Sequence, residues 1–219
     1  MKSISKTDPE LARGWRASRV RACLDNQEKE QLIQFIDQRF TDRFFDPIRC
    51  LKQSPGNTQG YGFAIMALCS LLIESIQSFR FGLPSTYQRE LERLGDFNPP
   101  VAFEVPRNEW LSGRQVFTDF FTSPSYRKLF PGIDGAAFYT NIRNGLLHQA
   151  QTKNGWTITI QRKRLCAPKA KVLNRNVFAV RLEKAFRLYL QELRRCEWRD
   201  ELWTKAARKI WWLARLSCE

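Results

Sequence analysis

Leu32, Phe35, Ile36, Phe40 and Phe44 recur at the three- and four-residue spacing of one helix face, and the stripe ends near Asp46-Pro47. Ahead of it, Asp25-Asn26-Gln27-Glu28 has the form of a capping box, Asp25 as the cap and Glu28 reaching back. Gln53-Ser54-Pro55-Gly56-Asn57 then breaks the chain. Residues 61–81 are apolar on nearly every side, which predicts the buried central helix of a bundle, stopped by Gly82 and Pro84. The next stretch, 84–112, holds Pro84, Pro99, Pro100 and Pro106 with little periodicity. It reads as a long irregular insertion with one short helix over 87–94, and such loops often serve as lids or partner surfaces.

The pattern resumes with a short helix over 114–121 and a break at Ser123-Pro124-Ser125. Asp134-Gly135 leads into a helix over 135–151. Lys153-Asn154-Gly155-Trp156 is a turn signal, and Trp156 to Ile160 alternates like a strand, so 153–176 reads as a β-hairpin with a basic loop. Val177, Val180, Phe186, Leu190 and Leu193 mark a helix over 177–195. The last segment, 198–216, mixes four tryptophans with Arg199, Lys205, Arg208, Lys209 and Arg215. Those tryptophans are expected to be packing anchors rather than base-stacking platforms. The predicted fold is mainly α: a helical bundle with a minor β-hairpin and a basic C-terminal helical extension.

Composition adds a location for the charge. The 219 residues carry 36 Lys+Arg against 22 Asp+Glu, a formal charge of +14, with 43% hydrophobic and 13% aromatic residues that suit a folded chain. Residues 1–24 hold six basic residues and two acids, 25–156 hold fourteen of each, and 157–219 hold sixteen against six. The expected organisation is a basic N-terminal arm (1–24), a helical domain (25–195) whose stretch 25–156 is neutral, and a basic Trp/Arg-rich helix (196–219). Basic ends on a neutral body suit a grip on a polyanion that tolerates sequence, and RNA is the expected partner. Solvation of exposed helix faces is the plainer use of the same residues.

Six scattered cysteines form no C-x-x-C pair and the chain has one histidine, so neither a metal nor another cofactor is expected. The first residues lack the apolar run of a secretory signal, and the longest apolar run, 63–73, is too short for a bilayer. A cytoplasmic location without a membrane is the expectation. No G-x-S-x-G elbow and no G-x-x-x-x-G-K-[ST] loop occurs, which argues against a serine hydrolase and an NTPase.

One constellation carries chemistry. Within Phe138-Tyr-Thr-Asn-Ile-Arg-Asn-Gly-Leu-Leu-His148 lie Arg143, Asn144 and His148, the sole histidine. A histidine side chain ordinarily exchanges its proton near neutral pH, and arginine offers a permanent charge with a fork of donors that fits phosphate oxygens. On a helix Asn144 and His148 share a face. Arg143 lies roughly 140° round the axis from His148 at 3.6 residues per turn. One helix does not converge the two, whereas two such helices across a two-fold axis would surround one groove with both pairs. The spacing therefore favours a site shared in a homodimer.

Arg143-Asn144-Gly145-Leu146-Leu147-His148, with Leu72-Ile73-Glu74-Ser75 and Phe45-Asp46-Pro47-Ile48, resembles an uncharacterised bacterial branch of the HEPN superfamily. Its members are helical bundles with an R-x(4–6)-H motif and a polar residue after the arginine. The resemblance covers about 25–195 and is sharpest in the motif helix. It implies a metal-independent endoribonuclease of the toxin–antitoxin, phage-defence or RNA-processing kind. His148 would act as general base on a ribose 2′-OH, Arg143 would stabilise phosphorane charge, Asn144 would orient the site and Glu74 would hold Arg143. The products would end in a 2′,3′-cyclic phosphate and a 5′-OH. An antitoxin or other regulatory partner is implied as well. Ala150 stands where toxins silenced by nucleotide attachment often have tyrosine, which weakens that mode of control.

Arg162, Lys163, Arg164, Lys169 and Lys171 are the candidate RNA contacts of the basic loop. Two other classes fit the same residues. The chain could bind RNA or a nucleotide without cutting, or be a helical interaction module in which Glu74 is simply a paired bundle carboxylate.

Overall fold

The computed structural model describes residues 8–54, 60–84, 100–106, 109–161 and 164–216. The predicted short helix over 87–94 lies outside them, as do Arg162 and Lys163. The described chain is mainly helical with two small sheets. It divides into two compact units, one drawn from 1–42, 78–110 and 190–219 and the other from 43–77 and 111–189.

In the first unit, β1 (Glu10–Ala12) and β2 (Trp15–Arg16) form an antiparallel pair, followed by α1 (Ala17–Asp25) and α2 (Lys29–Phe40). The described part of the expected N-terminal arm is therefore folded. Ala17, Val20 and Leu24 bury one face of α1 at three- and four-residue spacing, between arginines that stay at the surface or half-buried. The anticipated capping box at Asp25 does not form. Asp25 ends α1, Gln27 turns left-handed at φ 55°, and α2 begins at Lys29 with no side-chain cap.

The helix does not stop at Asp46-Pro47 either. After α2 the chain makes a π turn over Thr41–Phe45 and continues as α3 (Asp46–Gln53), with Pro47 in its first turn. Proline lacks an amide to donate, and at a helix start that loss removes no ladder bond.

The C-terminal helix α9 (Glu201–Leu216) belongs to the first unit, and its charges serve the fold. Arg208 Nη2 donates to Glu109 Oε2 at 2.8 Å and Nη1 to the Glu104 carbonyl at 2.9 Å. Lys209 Nζ reaches the Pro84 carbonyl at 2.8 Å, and both side chains are buried. Trp203 and Trp212 are buried too, their indole N–H groups donating to the Leu193 and Phe103 carbonyls. They are packing anchors.

The second unit is centred on an aromatic cluster. α5 (Gly113–Thr122) supplies Phe117, Phe120 and Phe121, which meet Tyr126, Phe130, Phe138 and Phe178 at ring-centroid distances of 4.8–6.3 Å. A capping box starts α5: Ser112 Oγ accepts from Gln115 N and Gln115 Oε1 accepts from Ser112 N. Helix α4 (Tyr61–Phe81) matches its predicted span, and Gly82 ends it at φ +67°. By length and hydropathy it could cross a bilayer, but 61% of its apolar window is buried within the protein, as in a core helix. Its first turns differ from expectation: Tyr61, Phe63, Ala64 and Leu71 are exposed.

The expected hairpin is a different sheet. β3 (Thr157–Thr159) pairs in parallel with β5 (Val172–Asn174), and β4 (Cys166–Ala167) pairs antiparallel on the other side of β5. The Asn154-Gly155 turn is real, with both φ positive and Trp156 N donating to the Lys153 carbonyl. It delivers the chain from a helix into β3 rather than joining two strands.

Candidate functional site

The motif segment starts at Asp134, whose Oδ1 accepts from Ala137 N at 2.7 Å and caps α6 (Gly135–Phe138). A side chain at Gly135 would stand 2.6 Å from the Phe117 carbonyl and from Thr118 Cα, so only glycine lets α6 lie this close to α5. A π turn, Tyr139–Arg143, follows at once and runs into α7 (Asn144–Gln149). The sequence predicts one regular helix here. Instead the ladder widens over the five residues that end at Arg143, a distortion frequent at functional sites.

Beyond Gln149 the chain reverses. Ala150 takes a left-handed conformation at φ 52°, and its amide bonds to the Leu146 carbonyl. Lys153 N then donates to the Asn141 carbonyl at 2.8 Å, and Asn154 Nδ2 to Asn141 Oδ1 at 2.7 Å. A Cβ at Gly145 would meet the Gln151 carbonyl at 2.4 Å, so this return path depends on the glycine.

Arg143, Glu74 and Asn144 come together. Arg143 Nε donates to Glu74 Oε1 at 2.7 Å, and Nη1 donates to Asn144 Oδ1 at 3.1 Å. The guanidinium also stands 5.6 Å from the centre of the Tyr139 ring. The side chains of Arg143 and Glu74 are 6% and 10% exposed, so this ion pair is buried. His148 is not part of the network. It is exposed on α7 beside Leu147, which is 37% exposed, and makes no side-chain bond among the described residues. Burial of Arg143 and exposure of His148 follow from their separation round the axis. Within one chain the structure presents an inward-held arginine and an outward-facing histidine.

Of the basic loop, Arg164, Lys169 and Lys171 are exposed. Lys171 is left-handed at φ 51° and its Nζ donates to the Asn154 carbonyl at 2.9 Å. A feature absent from the sequence reading lies in the same unit: a cleft of about 420 Å³ beside β3, lined by the buried Arg175. Nothing in the residue pattern around Arg175 marks it, because the cleft depends on contacts with the start of α4. No family model, curated protein or solved structure matches the chain.

Proposed function

We propose that this chain is a metal-independent endoribonuclease whose complete site needs two copies. The reading rests on the hydrogen-bonded set Glu74–Arg143–Asn144 placed one helical turn from the exposed His148. His148 takes the proton from a ribose 2′-OH, the 2′-oxygen attacks the adjacent phosphorus, and the 5′-oxygen leaves and takes up a proton. Arg143, fixed by Glu74 and Asn144, places its positive charge where it stabilises the phosphorane oxygens, and preorganised charge needs no rearrangement during reaction. Facing His148 from a second copy would supply the convergence that one helix lacks. The resemblance to the HEPN superfamily points the same way and adds the role of toxin or phage-defence effector, restrained by an antitoxin or other partner. Exposed Arg164, Lys169 and Lys171 would hold RNA phosphates by charge.

The burial of Arg143 favours a second reading, a helical interaction module or non-cleaving RNA-binding protein in which the pair with Glu74 is structural. Incubating the protein with total RNA in the presence of EDTA separates the two. The nuclease cuts, His148→Ala protein does not, and the structural module leaves RNA intact in both arms.

A further inference from the structure

The cleft beside β3 is lined by Gly60, Gly62, Phe63, Arg175 and residues 157–161, and none of these residues is acidic. Its volume of about 420 Å³ falls in the range of small-ligand sites, which pair apolar walls with a few convergent polar groups. Three kinds of group meet there. Arg175, in the first turn of α8 (Arg175–Arg195), is only 4% exposed, so its guanidinium is a charge held at the cleft rather than a mobile surface arginine. Phe63 is 41% exposed and brings a partly open aromatic side chain to the same cleft. The third group is the edge of β3 away from β5, which pairs with no other strand among the described residues. Thr157 N donates toward β5, to the Lys171 carbonyl at 2.8 Å. Alternation along a parallel strand then turns the amide and carbonyl of Ile158 outward, to the cleft.

A positive fork, an open ring and an outward donor–acceptor pair complement a phosphate, a planar base and that base's hydrogen-bonding edge. We propose that this cleft binds a nucleotide unit, with its phosphate on Arg175, its base against Phe63 and the base edge on the backbone of Ile158. The assignment is independent of the RNA-cleavage reading and concerns different residues.

Gly62 provides a specific probe. An added Cβ there would lie 2.7 Å from Arg175 Nη1, and the next nearest atoms, at 3.6 Å, also belong to the Arg175 side chain. Gly62→Ala therefore displaces the end of a flexible side chain, while alanine suits a helix better than glycine.

The experiment is calorimetric titration of full-length His148→Ala protein, so that no probe is consumed, with AMP, CMP, adenosine, inorganic phosphate and a six-nucleotide RNA. AMP or CMP is expected to bind, and adenosine to bind about tenfold or more weakly for want of the charged contact. Gly62→Ala should weaken the nucleotide by a similar factor with an unchanged thermal midpoint. Phe63→Ala should weaken the nucleotides by about five- to a hundred-fold and leave inorganic phosphate untouched. Binding of the mononucleotides identifies a free nucleotide as the occupant. Binding of the RNA alone, sensitive to the same two substitutions, identifies a nucleotide within a strand. No heat with any probe, or nucleotide and RNA binding indifferent to both Gly62→Ala and Phe63→Ala, overturns the proposal.

Discussion

Arg143 and Glu74, 69 positions apart in sequence, meet at 2.7 Å with both side chains buried. The pair ties the end of the π turn to the middle of α4, and so fixes where α7 and His148 begin. Removing one member leaves a largely buried charge without its ion-pair partner.

Glu74→Ala and Arg143→Ala should therefore each lower stability by about 3–5 kcal/mol, and the double change Glu74→Leu with Arg143→Met should recover most of it. His148→Ala, at an exposed position, should stay within about 0.5 kcal/mol of the parent. Urea midpoints for the four variants measure this. Single variants as stable as the parent would show that the pair contributes nothing to the fold.

The reversal after α7 gives a second expectation. Ala150 is left-handed, a conformation that costs an L-residue about 1–2 kcal/mol. Ala150→Gly should raise stability by up to about 1 kcal/mol, since glycine's freer unfolded chain takes back part of the gain. Gly145→Ala forces a Cβ against the Gln151 carbonyl and should lower stability by about 1–3 kcal/mol. Thermal melts of the two variants should move in opposite directions.

Charge reversal should also divide by location. Arg164→Glu with Lys169→Glu alters exposed groups and should weaken RNA binding while leaving the melting temperature in place. RNA affinity should fall with salt by a log–log slope of roughly −0.7 per phosphate contact. Lys209→Glu removes a buried bond to the Pro84 carbonyl and should destabilise the fold instead. Filter binding across a salt series, with a melt for each variant, reads both. Salt-independent binding would show that the loop is ordinary solvated surface.

The cysteines report on the second unit. Cys50 is exposed, whereas burial pushes the Cys69 thiol up to about 12. At pH 8 that leaves roughly one thiolate in ten thousand at Cys69. A thiol reagent should modify Cys50 at once and reach Cys69 only with unfolding. Peptide mapping of labelled protein after short and long exposure checks this, and early labelling at Cys69 would contradict the packing of α4.

What the sequence revealed depended on how local the signal was. Apolar runs and short-range turn residues mark α4, the start of α5 and the Asn154-Gly155 turn, because each is determined within a few neighbours. Pairing partners are not local: the same turn signal served a helix-to-strand link, and β3 found β5 in parallel. Net charge was read as a surface property, yet Arg208 and Lys209 are buried on acceptors about a hundred positions away. At the candidate site, Arg143, Asn144 and Glu74 lay within sequence reasoning, the last through a family resemblance. The π turn ending at Arg143 did not, since helical spacing carries no signature of a widened turn.

The claim that matters most is that His148 cuts RNA. Wild-type and His148→Ala protein, each confirmed folded, should be incubated with total RNA in EDTA and the cleaved ends identified. The wild type should release fragments with 2′,3′-cyclic phosphate and 5′-OH ends, and the variant should be slower by about a hundred- to ten-thousand-fold. RNA left intact by dimeric wild-type protein, or equal cleavage by His148→Ala, would contradict the account.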